Sequence, residues 1–188
     1  MSISSVLKKL SVIAAGVTVM GLTTVNQAEA ALITSASDQA LSGGNTIDFE
    51  QTTPGSYNSI TQGDVTFSTP SGQIGFISSD YAGSYNTQGQ SLQNTYAFNG
   101  FNTLIINFKA SINAFGFNFG ASDAPWILTA FNAAGSVLDT QVLAPTQSSN
   151  SGTFYGIKTD GSFISYATLE TLDKADYVFV DNFKSACI

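Results

Sequence analysis

The sequence predicts an all-β fold, a two-sheet antiparallel sandwich of the jelly-roll kind, and three observations carry that expectation. Short runs rich in Phe, Ile, Val, Tyr and Thr recur along the chain, with clusters of Gly, Asn, Asp, Ser or Pro between them. Within several runs apolar residues alternate with small or polar ones, the period of a strand that turns one face to a core. Beyond Ala30 no stretch of useful length has the helical period, and no fixed repeat or low-complexity tract appears.

The chain opens differently. Lys8 and Lys9 precede an apolar run from Leu10 to Leu22, which gives way to a polar stretch ending in Ala28-Glu29-Ala30. This is the charged, apolar and small-residue order of a secretory signal, with cleavage expected before Ala31. Gly16, Thr18 and Gly21 interrupt the apolar run, and it is shorter than the roughly 20 residues of a spanning helix. The expected organisation is a signal peptide over 1–30, a flexible arm over 31–45 and one sandwich domain over 46–188.

The candidate strands run over 46–51, 64–69, 73–78, 103–108, 113–119, 126–132, 137–143, 153–158, 164–171 and 177–183. In the fifth, Phe115, Phe117 and Phe119 share one face and Gly116 and Asn118 the other. Asn132-Ala133-Ala134-Gly135 separates two β-rich runs, which predicts an antiparallel hairpin. The expected core comprises Leu104, Ile106, Phe115, Phe117, Phe119, Phe131, Phe179 and Phe183. Residues 79–93 are long for a passive connection and carry two tyrosines among small polar groups.

Charge narrows the partners. The net charge is −7, and lysine is the only basic residue, since Arg and His are both absent. Such a surface repels phosphate backbones and anionic lipid, so neither nucleic acid nor a membrane surface is expected as a partner. Without histidine there is no Ser-His-Asp, Cys-His or His-ligated zinc arrangement. Without arginine there is no bidentate clamp for carboxylate or phosphate. Carboxylate-pair hydrolysis or elimination on a glycan remains as the enzymatic alternative, although no local pattern selects two of the carboxylates. The single cysteine, Cys187, has no partner for a disulfide within the chain and reads as an inert residue before a reactive thiol.

Two binding chemistries are left. Sugar recognition needs flat aromatic faces flanked by amides and carboxylates. Tyr81, Tyr85, Asn86, Gln88 and Gln90 supply these groups in the long polar segment, and Trp126 with Asp123 forms a second candidate. The tyrosines could instead cover the edge of the sandwich, and Trp126 reads as core before platform. For an ion, oxygen-rich loops suit calcium, and the pair to test is Glu50, ending the first strand, with Asp181 in the last. Sandwiches often bring such strands together, and the bland alternative is two solvated carboxylates.

The segments Ile112-Asn113-Ala114-Phe115-Gly116-Phe117-Asn118-Phe119-Gly120, Phe154-Tyr155-Gly156-Ile157 and Tyr177-Val178-Phe179-Val180-Asp181-Asn182-Phe183 together carry a resemblance. With Ile47-Asp48-Phe49-Glu50 and Asp64-Val65-Thr66-Phe67, they resemble the jelly-roll sandwich of bacterial, cyanobacterial-type exosortase-dependent PEP-CTERM-like surface proteins. The resemblance implies an exported protein of the cell surface or extracellular matrix, similar to carbohydrate-binding modules, with polysaccharide or cell-surface glycan as partner. It also implies a structural calcium between first and last strands, which again directs attention to Glu50 and Asp181. The group's Pro-Glu-Pro sorting segment is not represented in Lys184-Ser185-Ala186-Cys187-Ile188, so release to the periplasm or medium is expected. The leading functional expectation is a non-catalytic glycan-binding module, followed by a structural surface protein without a small ligand.

Overall fold

The computed structural model describes residues 30–70, 75–94, 102–146, 153–173 and 176–187, so nearly all of the expected signal peptide lies outside the described residues. The strands are β1 (Ala30–Ile33), β2 (Asn45–Ile47), β3 (Gly55–Tyr57), β4 (Ser59–Gln62), β5 (Val65–Ser68), β6 (Gly75–Ser78) and β7 (Ser91–Asn94). They continue as β8 (Thr103–Ile112), β9 (Ala114–Gly120), β10 (Trp126–Phe131), β11 (Val137–Leu143), β12 (Thr153–Thr159), β13 (Ile164–Thr171) and β14 (Phe179–Ala186).

They form two antiparallel sheets, as the alternation predicts. The first has the order β1-β12-β9-β14-β7-β6-β3, with β2 also paired to β14; the second has the order β11-β10-β13-β8-β5-β4. Because β8 to β14 pass repeatedly between the sheets, inward residues from both close over one core. Phe115, Phe117 and Phe119 of β9 are all fully buried. Phe183 is the hub: its ring stacks on Phe117 at 6.0 Å and 7° and meets Phe67 edge-on at 5.2 Å. The hairpin is present too, with Trp126 opposite Leu143 and the turn closed by Asn132 N–H to Ser136 O at 3.0 Å.

Several expectations are corrected. Segment 31–45, expected as a flexible arm, is laid onto the first sheet: β1 pairs with β12, and a 3-10 turn (Gln39–Leu41) follows. Ile33, Ala40 and Leu41 bury against Ala114 and Phe154 on the outer face of that sheet, a small second core that offsets the cost of ordering the segment. The first predicted strand ends early, at Ile47, because Phe49 adopts φ 60° and turns the chain. Short strands β1, β3, β4 and β7 were not expected; three or four residues give too little alternation to read.

Two predicted core residues lie elsewhere. Phe131 is only half-buried, on the outer face of the second sheet, where it stacks on Tyr166 at 4.5 Å and 5°. Phe179 is buried but on the outer face of the first sheet, because a bulge between Asp181 and Lys184, with Asn182 at φ 47°, shifts the alternation within β14. Val180 and Phe183 therefore face the core, while Phe179 and Asp181 face outward.

Candidate functional site: a loop laid along the last strand

Residues 79–90 cross the outer face of the first sheet above β14, touching Phe179 with one end and Asp181 with the other. At the first end Tyr81 and Tyr85 pack on Phe179 at ring distances of 5.1 and 5.5 Å and meet each other at 5.7 Å. Tyr177 closes the group edge-on to Phe179 at 5.9 Å. Tyr81 and Tyr177 keep 42% and 41% of their surface exposed, so this cluster both covers Phe179 and presents aromatic surface to solvent.

The loop is held by close backbone contact. A Cβ at Gly120 would lie 1.7 Å from the Tyr85 carbonyl oxygen, so only glycine lets the loop rest on β9. Asn86 fastens it with its side-chain amide, which donates to Thr153 O at 2.9 Å. Of the sequence candidates, Asn86 is thus spent on positioning, while the Gln88 side chain is exposed and its backbone N–H serves Asp181.

Asp123 reaches the same place from the β9–β10 connection. Its backbone N–H, with that of Ala124, donates to Asp176 at 3.0 Å each, and the Tyr177 N–H donates to the same carboxylate at 3.0 Å. The Trp126 indole N–H supplies a fourth bond, at 2.6 Å. Trp126 is fully buried, which corrects its candidacy as a sugar platform: it is a core residue whose polar edge is satisfied by Asp176. Around Tyr177, burial raises the phenol's pKa, and the nearby Tyr81, Tyr85, Asp123 and Asp176 push it the same way. Tyr81 and Tyr85 share Phe179 with Tyr177, and Asp123 shares the Asp176 carboxylate with it, so the candidates gather around Tyr177, a residue the sequence reading placed only in a strand. Its pairing across Phe179 depends on the β14 bulge, for which the sequence offers no signal beyond Asn182.

At the other end of the loop, Glu50 and Asp181 are brought to adjacent backbone donors. Gln88 N–H donates to Asp181 Oδ2 and Gln90 N–H to Glu50 Oε1, both at 2.8 Å, while Gln90 Nε2 returns to the Glu50 carbonyl at 2.8 Å. Gly89 between them has φ 68°, and a Cβ there would lie 1.8 Å from Glu50 Oε1. Asp181 also accepts from Asn182 N–H at 2.6 Å. Its carboxyl is pushed up to about 6: burial dominates, the two N–H bonds oppose it, and the charges of Glu50 and Asp48 add to it. Gln90 Oε1 is buried without a partner. Hard oxygens and excess negative charge fit a calcium-like cation, but no group of three acidic, His or Cys side chains among the described residues is arranged to hold a metal.

Backbone strain gathers here. Phe49, Tyr85, Asn86, Ala121 and Asn182 are the non-glycine residues with positive φ among those described, and each is a site residue or lies within two of one. Such strain costs on the order of 1–3 kcal/mol per residue and concentrates at functional sites. A half-buried aromatic pair on the second sheet, the Phe131–Tyr166 stack, sits in a cross-strand row with Val137, Asn107, Thr66 and Thr61 and has no such strain.

No family model and no curated protein matches the chain. Among solved structures, it is similar to a family 61 carbohydrate-binding module in complex with β-1,4-galactotriose, at 10% identity and TM-score 0.44, over 75% of this chain and 94% of that one. The family 11 module of a cellulosomal cellulase of Clostridium thermocellum is similar at 14% identity and TM-score 0.42, over 78% and 95%. A family 29 module is similar at 7% identity and TM-score 0.39, over 64% and 91%. At these values the likeness is one of stacked antiparallel sheets and says nothing of ligand.

Proposed function

We propose that this chain is a non-catalytic glycan-binding module of an exported protein and that the tyrosine cluster on Phe179 is its binding surface. The observation that carries the reading is the convergence of two half-exposed phenol rings, Tyr81 and Tyr177, with the exposed Asp123 beside them. Ring faces pack against sugar C–H groups, and a carboxylate beside them accepts from hydroxyls. Polysaccharide affinity electrophoresis tests it. Tyr81→Ala and Tyr177→Ala should each abolish retention, whereas Tyr166→Ala on the opposite sheet should leave it intact. Absence of retention on any glycan would favour the alternative, a structural surface protein without a small ligand.

Calcium at Glu50 and Asp181 belongs to the same proposal as a stabiliser of the loop. Glu50, Asp181 and the unpartnered Gln90 Oε1 would supply the protein oxygens. An ion bound only by the folded state raises the melting temperature by mass action, so chelation should lower it in the parent and not in Glu50→Gln. An unchanged midpoint in the parent would remove the ion. Export follows from the leader read at 1–30 and is tested by fractionation: a full-length product retained in the cytoplasm would overturn it.

A further inference from the structure

Among the described residues, charge around the tyrosine cluster is of one sign, and that bears on which glycans it can take, granted the glycan reading above. Asp80 adjoins Tyr81 in the chain, Asp123 stands beside Tyr177, and both are exposed. Asp176 lies buried below them. Its oxygens are satisfied by three backbone N–H groups and the Trp126 indole, all of them neutral donors, and no described cation is paired with it.

The described lysines are engaged elsewhere. Lys109 pairs with Asp64 at 3.8 Å, Lys158 with Asp38 at 3.0 Å, and Lys184 donates to Ala36 O at 3.2 Å. Lys174 lies outside the described residues. Arginine occurs nowhere in the 188 residues, so the planar fork that matches carboxylate and sulfate groups is missing from the whole chain. An anionic sugar docked on Tyr81 and Tyr177 would meet Asp123 and Asp176 without a fixed countercharge among the described groups. A neutral sugar meets the exposed Asp123 carboxylate as a hydrogen-bond acceptor and the tyrosines as aromatic surface.

We propose that the Tyr81–Tyr177–Asp123 surface selects uncharged glycan chains and rejects uronate-bearing and sulfated ones of the same backbone. The selection is electrostatic and therefore sensitive to salt. Raising ionic strength from about 0.1 M to about 1 M shortens the screening length from about 10 Å to about 3 Å.

Matched pairs test this on the purified full chain: dextran with dextran sulfate, hydroxyethyl-cellulose with carboxymethyl-cellulose, and fully methyl-esterified homogalacturonan with polygalacturonate. At low salt a retained neutral polymer should bind at least about tenfold more tightly than its anionic partner, a gap of about 1.4 kcal/mol. High salt should narrow the gap, and Asp123→Lys should narrow it at low salt. An anionic polymer retained as tightly as its neutral partner, or a gap indifferent to both salt and Asp123→Lys, would overturn the selection while leaving glycan binding in place. Failure of every polymer of both kinds would remove the underlying glycan reading as well.

Discussion

The Trp126 indole N–H donates to Asp176 Oδ2 at 2.6 Å, joining the start of β10 to the approach to β14 from inside the protein. The same carboxylate gathers the backbone N–H groups of Asp123, Ala124 and Tyr177, so one buried side chain sets the positions of the acidic and the aromatic partners in the candidate site. Asp176→Ala leaves four donors without an acceptor. Hydrogen bonds to a charged group contribute about 1.5–3 kcal/mol each and are not additive, so a loss of about 3–5 kcal/mol is expected in urea unfolding. Trp126 is the single tryptophan, which makes its fluorescence a local readout; an unaltered spectrum and midpoint would refute the role.

Phe117 is fully buried and stacks on Phe183 at 6.0 Å. Removing its ring leaves a cavity between the sheets, and Phe117→Ala should cost about 3–5 kcal/mol. Denaturant titration measures it. A loss below about 1 kcal/mol would mean that the sheets close without this strand as their anchor.

Gly120 is the point where the tyrosine loop rests on β9. Gly120→Ala forces the Tyr85 carbonyl away and should release the loop, exposing Phe179 and raising amide exchange across 79–90, while the inner core stays protected. Unchanged exchange in the loop would contradict the close approach.

Asp181 makes stability depend on pH in a particular direction. Its carboxyl titrates near 6 in the folded chain against an ordinary value near 3.8, so the folded state holds the proton more tightly. The resulting stabilisation is complete below about pH 4 and is lost as pH rises through about 6; it amounts to on the order of 2–3 kcal/mol. The difference in stability between the parent and Asp181→Asn should therefore change across that window, in the metal-free protein. A difference independent of pH would show that Asp181 is not held protonated.

Legibility followed the length of each pattern. Strands β8 to β13 were readable because six or more residues repeat the two-residue period, and β11 and β13 match their predicted bounds. The three-residue strand β3 was not, the first strand was legible but its early end at Ile47 was not, and the anchoring of 31–45 through Ile33 and Leu41 had no period to announce it. At the site, residue types were legible and their partners were not. Tyr81, Tyr85, Asp123, Glu50 and Asp181 were singled out by chemistry, whereas Tyr177, Asp176 and the outward turn of Phe179 were missed.

The division has one physical origin. Alternating burial is a local property, written in neighbouring residues, and it was enough to specify strands, their inward faces and the sandwich they build. Contacts across long separations are a property of register, and a single bulge at Asn182 reverses which side chains face out. That displacement places Phe179 beneath the tyrosines and Asp181 beneath Gln88, and it is set by the pairing of β14 with β9, a contact between segments distant in the chain.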